Sequence, residues 1–253
     1  MIKNRPELVW TPDMVARFWD YESNFPERFF TFRNGAEMVR QLRPFFRGKA
    51  SILDYGCGPG YLLDQMLAAG IQAAGLDFST EAMRKVDARF KGRANFLGTF
   101  TPEQLAESGR RFDAVCVVEV IEHLYDEPLR QLLADVERFL APGGVVVFTT
   151  PNEEDLEKSS LLCPVTGEVF HRWQHVRSWS KQSLTQHLEA HGYQVLECFA
   201  TAFGGGLSKA KNKGSLSARW ATLKFDLGRR FGTVKKAPHL VAIARPPTAE
   251  QAR

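Results

Sequence analysis

The sequence predicts an α/β fold in which a seven-stranded, mostly parallel sheet carries helices on both faces. From about residue 50, short runs rich in β-branched residues alternate with longer amphipathic stretches, which is the pattern of a parallel sheet with crossover helices. The connections between these early runs are short, as in one compact domain. Two later apolar runs complete the sheet, and they would be antiparallel if a hairpin joined them.

Seven strands and the helices between them follow from this periodicity. The predicted strands are 51–55, 73–78, 95–97, 113–118, 145–149, 193–200 and 239–244. The predicted helices of the sheet region are 61–69, 80–90, 102–108, 128–140 and 180–191. Pro142, Gly143 and Gly144 predict a turn into the fifth strand.

Three further segments lie outside the regular alternation. Residues 1–48 are predicted to form an N-terminal helical cap, with helices at 12–21 and 36–45, ahead of a main domain at 49–253. The irregular segment 152–179 is long for a loop, which indicates a functional role, and its aromatic residues and histidines predict a lid or substrate wall. A basic insertion is predicted at 204–237, with an amphipathic helix at 216–231.

The charge of the chain is unevenly distributed. The 253 residues carry 33 Lys and Arg against 29 Asp and Glu, a formal net charge of +4. Residues 1–200 hold 22 basic and 27 acidic side chains (−5), and residues 201–253 hold 11 and 2 (+9). A basic segment of this kind is either a solvated surface or a contact for nucleic acid, anionic lipid or an acidic substrate.

Cysteine usage and hydropathy predict a cytoplasmic protein. The cysteines are Cys57, Cys116, Cys163 and Cys198, which are widely spaced, as in a protein with free thiols. No run reaches the roughly 18 apolar residues of a membrane span, and the first ten residues lack the apolar core of a signal peptide.

The most informative segment runs from Ile52 to Tyr61, with the sequence ILDYGCGPGY. It predicts a buried strand, a glycine-rich turn and a helix start, a geometry that brings backbone N–H groups and a positive helix end to an anionic ligand. The next strand ends in Asp77, about 20 residues on, where a carboxylate can accept hydrogen bonds from both ribose hydroxyls. A nucleoside-containing cofactor is therefore predicted.

In these motifs the chain resembles the class I S-adenosylmethionine-dependent methyltransferases, whose first motif reads like LDYGCGPGYLL and whose second strand ends like GLDFS. The resemblance continues through FDAV, EVIEHL and LAPGG, and it is nearest to the small-molecule branch that contains the ubiquinone-biosynthesis O-methyltransferases. It implies a Rossmann-like fold and S-adenosyl-L-methionine as cofactor.

The resemblance also implies the cofactor contacts. Asp54 would lie near the methionine amino group, and the turn would accommodate the methionine moiety and its carboxylate. Asp77 would bind the ribose, and Phe78 and Met83 would flank the adenine. Thr99 stands where the family often has an aspartate for the adenine amino group. The full set of implied cofactor-binding residues is Asp54, Gly56, Cys57, Gly58, Gly60, Asp77, Phe78, Met83, Thr99, Phe100 and Glu119.

Histidines supply the candidates for acid–base chemistry. His123 follows an apolar strand whose carboxyl end should face the ligand crevice, so it can act as a general base or only orient the loop under the cofactor. His171, in the predicted lid, is the second candidate base. No metal site is predicted. Two alternatives stay open: a divalent ion held by Glu119, Glu122, His123 and one of His171 or His175, and zinc on Cys163, His171 and His175.

The predicted function is O-methylation of a small-molecule acceptor by direct in-line transfer. One alternative is an RNA-directed methyltransferase of the 2′-O type, in which the metal set would assist. The other is a cofactor-binding regulatory protein without transfer activity. A small molecule is the expected partner. Nucleic acid and a peripheral anionic membrane contact through 204–237 are the other partners considered, and the sequence gives no oligomeric state.

Overall fold

A computed structural model describes residues 5–203 and 237–247 of the chain. The predicted basic helix at 216–231 lies outside the described residues, as does all of the insertion 204–237 except Ala237.

The described residues form nine strands and seven α-helices. The strands are β1 (Ile52–Tyr55), β2 (Ala73–Leu76), β3 (Phe96–Phe100), β4 (Phe112–Val118), β5 (Leu140–Pro151), β6 (Ser160–Leu162), β7 (Val169–His171), β8 (Gln194–Thr201) and β9 (His239–Arg245). The helices are α1 (Pro12–Glu22), α2 (Phe30–Leu42), α3 (Tyr61–Ala68), α4 (Thr80–Phe90), α5 (Pro102–Ser108), α6 (Asp126–Phe139) and α7 (Lys181–Ala190).

Seven of the described strands make one sheet in the order β3-β2-β1-β4-β5-β9-β8. Strands β1 to β5 pair in parallel, and β9 pairs antiparallel with both β5 and β8. The predicted fold class is confirmed. Because β9 runs against its neighbours, its first residue, His239, lies beside Pro151 at the end of β5 and Thr201 at the end of β8. We call the edge at which β1 to β5 end the carboxyl edge.

Each face of the sheet is covered by helices. In β4, Phe112, Val115 and Val117 pack into one core layer with residues of α5, α6 and α7. Ala114 and Cys116 point to the other layer, which α2, α3 and α4 cover. The alternation follows from the two-residue period of a strand, and apolar residues on both faces explain the nearly continuous apolar sequence of β4.

Hydroxyl side chains fix the starts of four helices. Thr11, Ser79, Thr101 and Ser180 each accept a hydrogen bond from a backbone N–H in the first turn of the helix that follows. At α5 and α7 the third helical residue bonds back to the cap, which completes a capping box. The helix starting with Thr80 is thereby held directly behind the end of β2.

The structure corrects the predictions at three places. The turn predicted at 142–144 is a bulge inside β5, where the register with β4 shifts and Gly143 takes a φ of 73°. Helix α2 begins at Phe30 rather than residue 36, because its first turn packs aromatic rings against the rest of the chain. Within the irregular segment 152–179, β6 and β7 form an antiparallel hairpin.

None of the helices within residues 5–203 and 237–247 combines the length and the apolar composition needed to cross a membrane.

Candidate active site

The glycine turn lies at the carboxyl edge between β1 and α3. Gly56, Gly58 and Gly60 have φ values of 76°, 49° and 78°, a left-handed conformation that costs glycine least. A Cβ at Gly56 would stand 2.7 Å from Val120, whereas a Cβ at Gly58 would meet only the Phe29 ring, 4.0 Å away. The backbone at Gly58 is therefore open to a ligand. Cys57 is buried beneath the turn, 3.9 Å from the Met83 sulfur.

Asp77 ties the end of β2 to this turn. Its Oδ2 accepts a hydrogen bond from the Gly58 N–H (3.0 Å), and its Oδ1 accepts one from the Ser79 N–H (3.2 Å). Burial raises the pKa of Asp77 above its usual range, and the hydrogen bonds from the Ser79 and Gly58 amides oppose that rise. The carboxylate thus holds the turn and the start of α4 in one arrangement.

Asp54 is the buried carboxylate of the site. It is only 2% exposed, and its Oδ2 has no hydrogen-bond partner among the described residues. Burial, together with the nearby charge of Asp77, raises the pKa of Asp54 to about 7, although the Leu63 amide works against the rise. A buried carboxylate oxygen without a partner is costly unless a ligand donates to it. The residues therefore fit a ligand with a cationic amino group near Asp54.

The residues predicted around the adenine lie in different environments. Phe78 is 64% exposed, so its ring is available to stack on a ligand. Met83 is buried. The Thr99 hydroxyl donates its proton to the Met83 carbonyl (3.2 Å), so it can offer a ligand only an acceptor oxygen. Phe100 pairs with Leu76 in the sheet and its carbonyl accepts from the Asp77 N–H (3.2 Å).

Glu119 occupies the position directly after β4. Its φ is 53°, an unfavourable value for a residue with a side chain. The Glu119 N–H donates to the Thr149 carbonyl (3.0 Å), and the Thr149 hydroxyl donates to Glu119 Oε1 (2.8 Å). Glu119 Oε2 faces His239 Nδ1 at 3.4 Å. The two hydrogen bonds to Thr149 thus stabilise a strained backbone conformation at Glu119. Strained residues of this kind occur mostly at functional sites.

Both predicted catalytic histidines lie in a cluster between the β4–α6 connection and the predicted lid. His123 stacks edge-on against His175, and His171 stacks on His175 with ring centroids 4.4 Å apart. Glu154 Oε2 lies within hydrogen-bond distance of His175 Nδ1, and Glu154 Oε1 is 3.4 Å from His171 Nε2. Burial opposes ionisation of Glu154, but the bonds from His171 and His175 outweigh it and lower its pKa to about 2.

Gln174 connects this cluster to the N-terminal helices. Its side-chain NH₂ donates to the His123 carbonyl (2.9 Å), and its Oε1 accepts from the indole N–H of Trp19 on α1 (3.1 Å). His123 Nδ1 faces the Gln174 carbonyl at 3.4 Å, so this nitrogen carries the proton and Nε2 the lone pair. Burial and the neighbouring His175 lower the pKa of His123 to about 3. The ring is a weak base in this setting.

Two groups of side chains within the described residues are close enough to share a cation: Glu122 with His123 and His175, and Glu154 with His171 and His175. Glu119 belongs to neither of them. In the second group, His171 Nδ1 accepts from the Trp173 and His175 amides (3.3 Å each). The Nε2 atom of His171 therefore carries a proton that is directed at Glu154. In this tautomer Nε2 has no lone pair to offer a cation.

The first group keeps atoms on Glu122 and His123 that could coordinate a cation. Glu122 is buried, and its Oε2 accepts from the Thr150 hydroxyl (3.0 Å). Its Oε1 has no hydrogen-bond partner among the described residues and lies 3.9 Å from His123 Nε2. Burial, the charge of Glu119 and that of Glu154 raise the pKa of Glu122 well above its usual range. The buried negative charge of Glu122 is unfavourable, and either a proton on its carboxylate or a bound cation would neutralise it.

Cys163 belongs to neither of these groups. Its carbonyl accepts a hydrogen bond from the Gly167 N–H (2.9 Å), which closes a turn over residues 163–167.

The sequence did not single out Glu154, Gln174 or His239. Glu154 and Gln174 lie in the irregular segment, where no periodicity indicates which side chains meet. His239 was predicted only as the start of a strand. If the last strand runs antiparallel to its neighbour, its first residue lies at the carboxyl edge of the sheet. This is the sequence feature that could have identified His239 as a site residue.

Replacing His123 by glutamine should flatten the acid dependence of stability. The pKa of His123 is depressed on folding, so below its ordinary value of about 6.5 the unfolded state binds more protons. The contribution of neutral His123 to the free energy of unfolding is therefore complete above pH 6.5 and is lost as the pH falls toward 3. Between pH 7.5 and 5 the wild type should lose about 2 kcal/mol more than His123→Gln.

Urea unfolding at both pH values, in EDTA so that only protons compete for the ring, measures this difference. His191→Gln removes an exposed histidine on the surface and is the matched control. Parallel pH profiles for wild type and His123→Gln would contradict the expectation.

Comparison with known proteins agrees with this geometry. Residues 28–198, more than half of the chain, match the methyltransferase domain family Methyltransf_23. The match begins inside the predicted cap. A ubiquinone biosynthesis O-methyltransferase of Cereibacter sphaeroides is 34% identical over 182 residues, which cover 66% of this chain and 72% of the relative. One from Ruegeria pomeroyi is 29% identical over 252 residues, 92% of this chain and 95% of the relative.

A solved structure supports the same fold. The DhpI-SAH complex superposes with a TM-score of 0.56 at 18% identity and covers 92% of this chain and 95% of that one. Together with the family match and the relatives, this means that the chain belongs to the methyltransferase domain family and is an S-adenosylmethionine-dependent methyltransferase.

Proposed function

We propose that this methyltransferase transfers its methyl group to a phenolic hydroxyl of a small aromatic acceptor. The observation that carries the proposal is the pair of relatives at 34% and 29% identity, both named as O-methyltransferases of ubiquinone biosynthesis. Their names concern those proteins, and the acceptor of this chain is inferred from them and from the aromatic side chains at its own site.

Aromatic rings from the N-terminal helices cover the carboxyl edge. Phe29 lies beside the open face of Gly58, with Trp19 and Tyr61 at ring-centroid distances of 6.0 and 5.4 Å. Phe30 packs on His239 at 4.4 Å. A planar, apolar acceptor would find stacking partners here, next to the glycine turn and to Glu119.

Each of the chain's own residues has a defined task in this proposal. The bound cofactor supplies an electrophilic methyl group on a sulfonium. The glycine turn and Asp77 hold its methionine and ribose parts, and Asp54 accepts from its amino group. Glu119 borders the place where the acceptor arrives, and the aromatic rings exclude water. Because a methyl displacement needs mainly alignment, this positioning accounts for much of the acceleration.

The charges of the site favour a neutral acceptor over RNA. Asp54, Asp77 and Glu119 all lie at the carboxyl edge, and Glu122 is buried behind it. A polyanion would be repelled here, and the net positive charge that could attract it (+9) belongs to the last 53 residues of the chain, whereas residues 1–200 carry a net −5. A non-catalytic cofactor-binding protein is disfavoured by the enzyme relatives.

The division of the chain is part of this proposal. Residues 1–48 act as a cap and 152–179 as a lid over the 49–253 domain, with the Trp19–Gln174 hydrogen bond connecting them. The four cysteines are free, which supports a cytoplasmic enzyme. A peripheral contact with anionic membranes through 204–237 stays a separate hypothesis.

A methyl-transfer assay tests the acceptor class. Purified full-length chain is incubated with methyl-labelled S-adenosylmethionine and matched aromatic acceptors that carry a hydroxyl, an amine or a thiol, and with total RNA. We expect transfer to the hydroxyl compounds, with a methyl ether found by mass spectrometry. Methylation of only the amines, or of only RNA, would overturn the proposal. Acceptors whose hydroxyl is already a methyl ether are the negative control.

A further inference from the structure

His239 and Glu119 meet at the carboxyl edge although 120 positions separate them in the sequence. Glu119 follows β4, and His239 begins β9, beside the end of β5. Both side chains are nearly buried, at 15% and 13% exposure, and their facing atoms are 3.4 Å apart. This is long for a hydrogen bond but within ion-pair distance, and such contacts commonly tighten when a substrate binds.

The contact orients the histidine ring. His239 Nδ1 is fully buried and has no hydrogen bond among the described residues, but it faces Glu119 Oε2 at 3.4 Å, so a proton on Nδ1 would be directed at that carboxylate. Since Nδ1 is fully buried, the 15% of the side chain that is exposed lies on other atoms of the residue. Among the described residues Nε2 has no hydrogen-bond partner. The carboxylate therefore holds the tautomer that leaves the Nε2 lone pair available, as in a catalytic triad.

Glu119 is itself held in place. Its left-handed backbone is fixed by the Thr149 carbonyl, and its Oε1 is occupied by the Thr149 hydroxyl. Only Oε2 is left for the imidazole. Phe30 and Phe203 pack against the His239 ring at centroid distances of 4.4 and 5.6 Å, which restricts its rotation and lowers the local polarity. An ordinary surface histidine needs none of these supports.

We propose that His239 is the general base of the transfer and that Glu119 is its positioning residue. The inference rests on the proposed function, a hydroxyl acceptor. The acceptor O–H proton moves to His239 Nε2 as the oxygen forms its bond to the methyl carbon. The carbon–sulfur bond breaks with its electron pair staying on sulfur, and the imidazolium then releases the proton to solvent.

His239 is better placed for this role than the predicted bases. His123 directs Nε2 at Glu122, which is buried behind the edge, and burial lowers its pKa to about 3. His171 Nδ1 accepts from two backbone amides, and its Nε2 is buried and faces Glu154 Oε1 at 3.4 Å, so neither nitrogen is open to an acceptor. His239 lies beside the strained residue at the end of β4 and under the ring of Phe30, where the aromatic acceptor is proposed to stack.

Kinetics of His239→Gln and Glu119→Gln test the assignment on a series of phenols of increasing acidity. With a weakly acidic phenol, kcat of His239→Gln should fall by about 10²- to 10⁴-fold while KM changes little. The loss should shrink as the phenol becomes more acidic, because an ionised acceptor needs no base. Glu119→Gln should show a smaller loss with the same trend. His191→Gln, on the surface, should match the wild type.

Two further readouts separate a base from a structural role. Imidazole added to His239→Ala should restore part of kcat and should do nothing for the wild type. Without cofactor, a chromogenic nitrophenol bound to the wild type at a pH below its own pKa should show the phenolate absorbance, and His239→Gln should lose it. Cofactor binding and thermal unfolding of each variant show that it is folded.

The outcomes distinguish the two proposals. If the wild type methylates no hydroxyl compound, the proposed function fails. If it does so and His239→Gln keeps its rate on the least acidic phenol, or if the loss is equal across the series and imidazole restores nothing, the assignment of His239 is wrong while the proposed function stands.

Discussion

Replacing Asp77 by alanine should raise the dissociation constant for S-adenosylmethionine by at least about 100-fold. The carboxylate holds the Gly58 and Ser79 amides at 3.0 and 3.2 Å, and the family resemblance assigns it the ribose hydroxyls. Hydrogen bonds to a charged group contribute roughly 1.5–3 kcal/mol each, so the loss of two is enough for this change. The fixed shape of the turn would be lost as well.

Calorimetry with S-adenosylmethionine measures the change, and Asp87→Ala is the matched control because Asp87 is exposed on α4. Asp77→Asn keeps the size of the side chain but removes one acceptor, so it should fall between the wild type and Asp77→Ala. An unchanged dissociation constant in a folded Asp77→Ala protein would show that the cofactor is held elsewhere.

Replacing Asp54 by asparagine should stabilise the cofactor-free protein at pH 8 and weaken cofactor binding. Burial and Asp77 raise the pKa of Asp54 to about 7 from an ordinary value of 3.8. Between these values the folded state binds more protons than the unfolded state, so the stabilising contribution of protonated Asp54 is lost as pH rises. Removing the ionisable group should restore on the order of 2 kcal/mol, or about 5 °C in Tm.

The same residue should make cofactor affinity depend on pH. A cationic amino group binds the ionised carboxylate, which is a minor species well below pH 7. From pH 5.5 to 7 the affinity of the wild type should therefore rise by about 10-fold. The affinity of Asp54→Asn should be lower and nearly constant over this range. Calorimetry at both pH values checks this, and parallel profiles for the two proteins would contradict it.

The periodic spacing of apolar residues predicted the strands and helices of the sheet, because each of these elements packs against the core at regular intervals along the sequence. The two-residue period of β4 and the helical spacing in α6 depend on a common core, and every strand of the sheet was predicted in its place. The bulge in β5 and the early start of α2 were missed. Both depend on partners far along the chain, namely the register with β4 and the ring of His239 against Phe30.

The candidate site also contains features that local spacing predicts and contacts that depend on residues far apart in the chain. The glycine turn and Asp77 lie in a strand–turn–helix unit and the strand that follows, so their proximity follows from spacing alone. Thr99 and Met83 were placed by resemblance, and the structure bonds them to each other, with Met83 buried. The histidines were visible in the sequence, but their partners were not. Burial gives His123 a low pKa, and a residue list contains no information on burial.

The sequence by itself predicted the Rossmann-like sheet, the glycine turn and the position of Asp77 at the end of the next strand, and these motifs carried the resemblance to methyltransferases. These features are local and periodic, so they need no knowledge of what packs against them. Only the tertiary structure decided which titratable groups meet. Because β9 runs antiparallel, His239 comes back to the end of β4, and Glu119 gains a partner that spacing along the chain does not reveal.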